Sequence, residues 1–97
     1  YFGELRIDTG PKPAGGAATV VLAFDPERPD PPGDFELYVN GCKAAPLGRI
    51  DLAPPAPANP HGFDLPADAL NDGHNLLELM SDRPWAVHWA EIRLHEP

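Results

Sequence analysis

Proline sets the narrowest limits on what this chain can become. Fourteen prolines and nine glycines stand among 97 residues, and each proline removes a backbone donor and blocks the interior of a helix. The longest interval that could hold a helix, Asp64 to Met80, is itself broken by Pro66 and Gly73. Long helices are excluded, and the segments between the breaks are read as short strands.

The apolar pattern agrees. In Phe2 to Asp8, Leu5 and Ile7 alternate with Glu4, Arg6 and Asp8, the period-2 signature of a half-buried strand. Thr19 to Phe24 is β-branched and almost wholly apolar, as expected of a central strand covered on both faces. Asp25 to Asp34 carries four prolines and five charges and reads as an exposed loop. In Phe35 to Asn40, Phe35, Leu37 and Val39 share a face, Tyr38 points outward, and Asn40-Gly41 closes a hairpin. Between Cys42 and Pro60 the prolines leave room for one short strand, Arg49 to Leu52. Pro66 to Leu70 suits a single 3₁₀ or α turn. Strands follow at His74 to Met80, with Leu77 and Leu79 on one face, and from Trp85 to His95. About six short strands with turns near every ten residues predict an all-β fold, an antiparallel β-sandwich. Its expected core is Leu5, Ile7, Val20, Leu22, Phe24, Leu37, Val39, Phe63, Leu65, Leu77, Leu79, Ile92 and Leu94.

Ninety-seven residues make one domain, and with 42% apolar residues a core can form. The formal charge of -8 repels phosphate backbones and anionic headgroups, so nucleic acid and membrane surfaces are not expected partners. No apolar run approaches the roughly 18 residues of a membrane span, and Tyr1 to Asp8 lacks signal-peptide character, so a soluble domain is expected. Ala/Pro/Arg-rich usage suggests a bacterial source.

Catalytic signals are weak. The one serine, Ser81, lies in a Ser81-Asp-Arg-Pro84 turn rather than a nucleophile elbow. Cys42 cannot form an internal disulfide, and beside Lys43 it reads as a half-buried residue following a turn. His61, His74, His88 and His95 have no metal-ligand spacing. A glycosidase needs two carboxylates about 5 to 9.5 Å apart across a cleft, and a chain this small has little volume for one. No enzyme activity, cofactor or metal is expected, with one reservation: Asp25, Glu27, Asp30 and Asp34 offer oxygen atoms that a structural calcium would accept.

Three pieces in order carry a resemblance: Phe35-Glu-Leu-Tyr-Val-Asn-Gly41, Phe63-Asp-Leu-Pro-Ala-Asp-Ala-Leu70 with Asn71-Asp-Gly-His-Asn75, and Leu76 to Met80. Together they resemble the "V-N-G, then L-P-x-x-x-L-x-x-G-x-N-x-L-x-L" pattern of galactose-binding-like jelly rolls that accompany glycoside hydrolases. Trp89 to Leu94 fits the closing strand of such modules. The resemblance covers about Thr19 to Leu94, although such modules usually run longer than this chain. It implies a jelly-roll β-sandwich, a non-catalytic accessory module of a larger carbohydrate-active enzyme, and an extracellular location. The unpaired Cys42 sits uneasily with that location. Such modules often carry a structural calcium.

The tryptophans bear on how such a module would bind. In an unbroken strand Trp85, Val87 and Trp89 share the face opposite Ala90, Ile92 and Leu94. If they face outward, the two coplanar indoles suit stacking on a sugar ring; the favoured alternative is a β-bulge near Trp89-Ala90 that turns Val87 and Trp89 inward and leaves Glu91 and Arg93 exposed. A sugar platform would then use Trp85 for stacking, with Tyr38 beside it and Arg83, His88, Asp82 and Asn40 supplying hydrogen bonds. The expected partner is a carbohydrate or a neighbouring catalytic domain. The rival is a structural, protein-interaction or self-assembling sandwich with no sugar binding. Self-assembly would require a long unprotected edge strand, and the abundant prolines argue against one.

Overall fold

The computed structural model describes residues 1–95. Eight strands form: β1 (Phe2–Asp8), β2 (Ala17–Phe24), β3 (Glu36–Val39), β4 (Cys42–Lys43), β5 (Ala45–Arg49), β6 (His61–Pro66), β7 (His74–Met80) and β8 (Val87–His95). One 3₁₀ turn, Ala67–Ala69, follows β6 where a turn was expected. Two four-stranded sheets result, β1-β7-β3-β4 and β5-β6-β2-β8, with every pairing antiparallel. The molecule measures 38 × 29 × 19 Å. The short dimension is that of two sheets stacked about 10 Å apart with side chains on both outer faces.

The pairing is nested. β3 pairs with β4, β2 with β6 and β1 with β7, as in a long ribbon folded at the β3–β4 turn and rolled up. β8 closes the second sheet against β2.

Leu22, Leu37, Leu70, Leu77, Leu79, Val20 and Val39 are fully buried between the sheets, with Phe24, Phe63, Leu65, Ala18 and Ala44. Leu5, Ile7 and Ile92 pack against them from edge strands and are half-buried. Leu94 is a correction: it was expected in the core and is 48% exposed, because it lies near the end of an edge strand. The strand expected at Arg49 to Leu52 lies earlier, at β5, and runs through Pro46. Proline is tolerated there because β5 is an edge strand and its ladder is irregular between Pro46 and Gly48.

β2 is buried on both faces. Its inner face meets the core. On its outer face Val21 pairs with Gly62, where an added Cβ would lie 3.1 Å from Ile50 and 3.4 Å from Leu47. Ile50 and Leu47 therefore fold back over the outside of the sheet, close to Val21.

The two asparagines of the V-N-G and G-x-N segments meet at one end of the sandwich. Asn40 has φ 51° and Gly41 φ 82°, the left-handed pair that a tight hairpin demands. The Asn40 side-chain amide donates to Asn75 Oδ1 at 2.8 Å and to the Ala69 carbonyl at 3.0 Å, and its oxygen accepts from Leu76 N at 3.0 Å. Asn75, 1% exposed, also accepts from Asn71 N at 2.8 Å and donates to Thr9 Oγ1 at 2.7 Å. A buried amide with its donors and acceptors used in this way ties the hairpin, the 3₁₀ segment and β7 together.

Candidate functional site

The last strand departs from the expected register, and that departure places the tryptophans. Ala23 lies opposite Trp89 and Phe24 opposite Val87, so the bulged residue is His88, not a residue at Trp89-Ala90. The extra residue lets Val87 face the core with Ala90 and Ile92, while Trp89 joins Glu91 and Arg93 on the outer face. Trp89 is 43% exposed, a correction to its expected inward position.

Trp85 goes the other way. Its ring stands edge-on to Phe35 at 5.7 Å and lies so close over Gly3 that a Cβ there would be 2.4 Å from Cη2. Phe35 in turn touches Phe24 at 5.3 Å and Phe63 at 5.9 Å, and Phe24 meets His61 at 5.8 Å. Trp85 is thus one wall of an aromatic cluster that seals this end of the sandwich, and its indole nitrogen is buried without a hydrogen-bond partner. It is half-buried, and its remaining surface lines a recess of about 230 Å³ beside Asp25, Glu27 and Arg28. Gly3 makes this possible, because it lacks the side chain that would keep the indole off β1.

The other expected ligands are dispersed. Tyr38 does point outward, on the opposite sheet, where its hydroxyl donates to Glu36 Oε2 at 2.7 Å and Lys43 Nζ lies 3.7 Å from the same oxygen. That hydrogen bond, with the nearby carboxylate charge, raises the phenol pKa. Asn40 is committed to the junction at the far end. His88, exposed, has Nε2 3.9 Å from Asp25 Oδ2. Arg83 and Asp82 are exposed in the turn after β7. The structure therefore brings Arg83 and Asp82 together by sequence adjacency, but it does not join the six residues into one platform.

Asp82 has a partner the sequence did not suggest. Asp34 Oδ2 accepts from Asp82 N at 2.9 Å and Asp34 Oδ1 from Ser81 Oγ at 3.0 Å, while Ser81 Oγ accepts from Arg83 N at 3.0 Å. The Asp82 carboxyl also shares a hydrogen bond with Asp34, which lowers Asp34 to about 2 and raises Asp82. Asp34 is 48 residues from Asp82 in sequence, so only the fold reveals the pair. Of the other acidic loop residues, Asp25 accepts from Glu27 N and Asp30 lies 3.4 Å from His61 Nε2. Among the described residues, no three His, Cys, Asp or Glu side chains converge as a metal site.

The outer face of β6-β2-β8 is where aromatic and polar side chains do assemble. Glu91 Oε1 accepts from Trp89 Nε1 at 3.1 Å and from Arg93 Nη2 at 3.3 Å, so one carboxylate pins both neighbours along the strand. In the adjoining row Thr19 Oγ1 lies 2.9 Å from His95 Nε2 and 3.5 Å from Asp64 Oδ1. The register sets Arg93, Thr19 and Asp64 side by side across three strands. The face thus has an anchored indole at one end and a lane of hydroxyl, carboxylate, guanidinium and imidazole groups beyond it. Trp89-x-Glu91-x-Arg93 is legible as a single face in the sequence; the contribution of Thr19 and Asp64 depends on strand order.

The recesses are small or shallow. One of about 230 Å³, bounded by Pro31, Phe35, Pro46, His61 and Phe63, lies against the aromatic cluster and is mostly apolar. Compared with known proteins, the chain matches no family model and no curated sequence.

Proposed function

We propose that this chain is a non-catalytic accessory β-sandwich module that binds an extended carbohydrate weakly on the outer face of β6-β2-β8. The observation that carries this reading is Trp89, 43% exposed on the outward side of edge strand β8 with its N–H anchored by Glu91. An indole held in place loses little freedom when a sugar ring stacks on it, and the neighbouring polar groups match ring hydroxyls. The galactose-binding-like resemblance supports the same class. A single exposed indole argues for low affinity.

The test is tryptophan fluorescence and calorimetry with a panel of soluble polysaccharides and oligosaccharides, with and without a chelator. A saturable response abolished by Trp89→Ala and kept in Trp85→Phe is expected. No response at millimolar sugar, or equal loss in both variants, would sink this reading. A second reading, packing against a neighbouring catalytic domain, draws on Leu47, 52% exposed near the same face. It predicts that Leu47→Asp releases such a domain without affecting sugar binding.

A further inference from the structure

The edge of the second sheet, distinct from its face, leads elsewhere. β8 has nine residues and no proline, and it pairs on one side only, with β2. Of the other edges, β4 is two residues long and β5 is broken around Pro46 and Gly48, while β1, with charges on its outward row as β8 has, is shorter at seven residues. On β8 the core-facing row runs out into solvent, with Ala90 and Ile92 half-buried and Leu94 48% exposed. This is the long unprotected edge that the abundance of proline argued against; among the described residues the prolines lie in the loops, in β5 and at the end of β6.

We infer that β8 pairs with β8 of a second copy of this chain, antiparallel and centred on Ile92, to give a two-fold dimer with one continuous eight-stranded sheet. The register follows from pleating and charge. Residues directly opposite in a ladder must point to the same face, so the two-fold axis passes through a residue. Centred on Glu91 or on Arg93, it sets like charges against each other. Centred on Ala90, it leaves Leu94 beyond the ladder's apolar partners. Centred on Ile92, it sets Glu91 opposite Arg93 of the second copy, twice by symmetry. It also sets Ala90 opposite Leu94, Ile92 opposite Ile92, and Trp89 opposite His95. Every position of residues 89–95 then has a partner, and the bulge at His88 ends the ladder. The charge pattern of this edge is self-complementary in one register.

Sedimentation equilibrium of the 97-residue chain over micromolar to millimolar concentration is the test. The expected result is a reversible doubling of the 10.5 kDa mass. Arg93→Glu alone or Glu91→Arg alone should weaken the dimer about tenfold, since each turns two attractive pairs into two repulsive ones. The swap Glu91→Arg with Arg93→Glu should restore it, and far-ultraviolet circular dichroism checks that each variant remains folded. A monomer at every concentration would overturn the proposal. So would a dimer indifferent to the single reversals, or open-ended oligomers, which a closed two-fold contact forbids.

Discussion

At the scale of single residues, the polar groups most sensitive to change are Asn75 and the Asp34–Asp82 pair. Removing the Asn75 amide leaves Asn71 N and Thr9 Oγ1 without their side-chain partner and takes one of three partners from the Asn40 side chain, at a residue that is itself 1% exposed. Asn75→Ala should cost about 2–3 kcal/mol, read by denaturant unfolding, whereas Asn71→Ala, which keeps its backbone donor, should cost far less. The carboxyl pair gives a pH signature with two opposite slopes. Asp34, lowered from 3.8 to about 2, stabilises the fold fully above 3.8 and loses that contribution as pH falls through about 2. Asp82 is raised from 3.8, so its contribution is present below 3.8 and is lost as pH rises through the raised value. Asp82→Asn cannot ionise and still offers a donor to Asp34. Its thermal midpoint should therefore exceed that of the wild type at neutral pH and match it below pH 3.8; a gain equal at both would refute the shared proton. Of these interactions, the Asn40-Gly41 turn was legible in the sequence because its backbone requirement is local. The Asn40–Asn75 and Asp34–Asp82 contacts were not, because each joins residues that only the sheet order brings near.

At the scale of elements, most strands could be read from alternation and punctuation; the inner strand β6 went unassigned because Phe63 and Leu65 stand in a short piece between Pro60 and Pro66, and the other errors lie at edges and at one bulge. β5 was misplaced because the rule against proline in strands relaxes at a sheet edge. β8 was misread because the residues from Val87 to Ala90 satisfy two registers equally well, and only pairing with β2 decides where the extra residue falls. That outcome exchanged the roles of the two tryptophans and with them the site. It also makes a test. Deleting His88 removes the unpaired residue while leaving Val87 inward and Trp89 outward, so it should cost about 1 kcal/mol or less. Deleting Ala90 is also absorbed by the bulge but sets Trp89 inward opposite Leu22 in the place of a small alanine, so it should cost about 1–3 kcal/mol or more. Equal effects of the two deletions would show that the bulge is not where the strands place it.

At the scale of the whole molecule, the antiparallel sandwich was anticipated, since the segments are too short for anything but β-structure and too apolar to stay open, whereas the strand order was not. Function was less legible. A platform is a relation among strands, and an aromatic side chain reads the same in sequence whether it stacks inward on Phe35 or outward beside Glu91. The nested pairing has a kinetic consequence as well. β1 must find β7 across nearly the full chain, so loop-closure entropy is lost before most contacts form, and folding on the millisecond-to-second scale is expected. The Asn40-Gly41 hairpin is the innermost and shortest of the nested pairs, so the ribbon should zip outward from it. Stopped-flow φ-values are then expected to be high in β3 and at Asn40, intermediate in β2 and β6, and near zero in β1 and β8. The strand left with an open edge would be among the last to arrive, so during folding the chain offers its most associative surface for the shortest time.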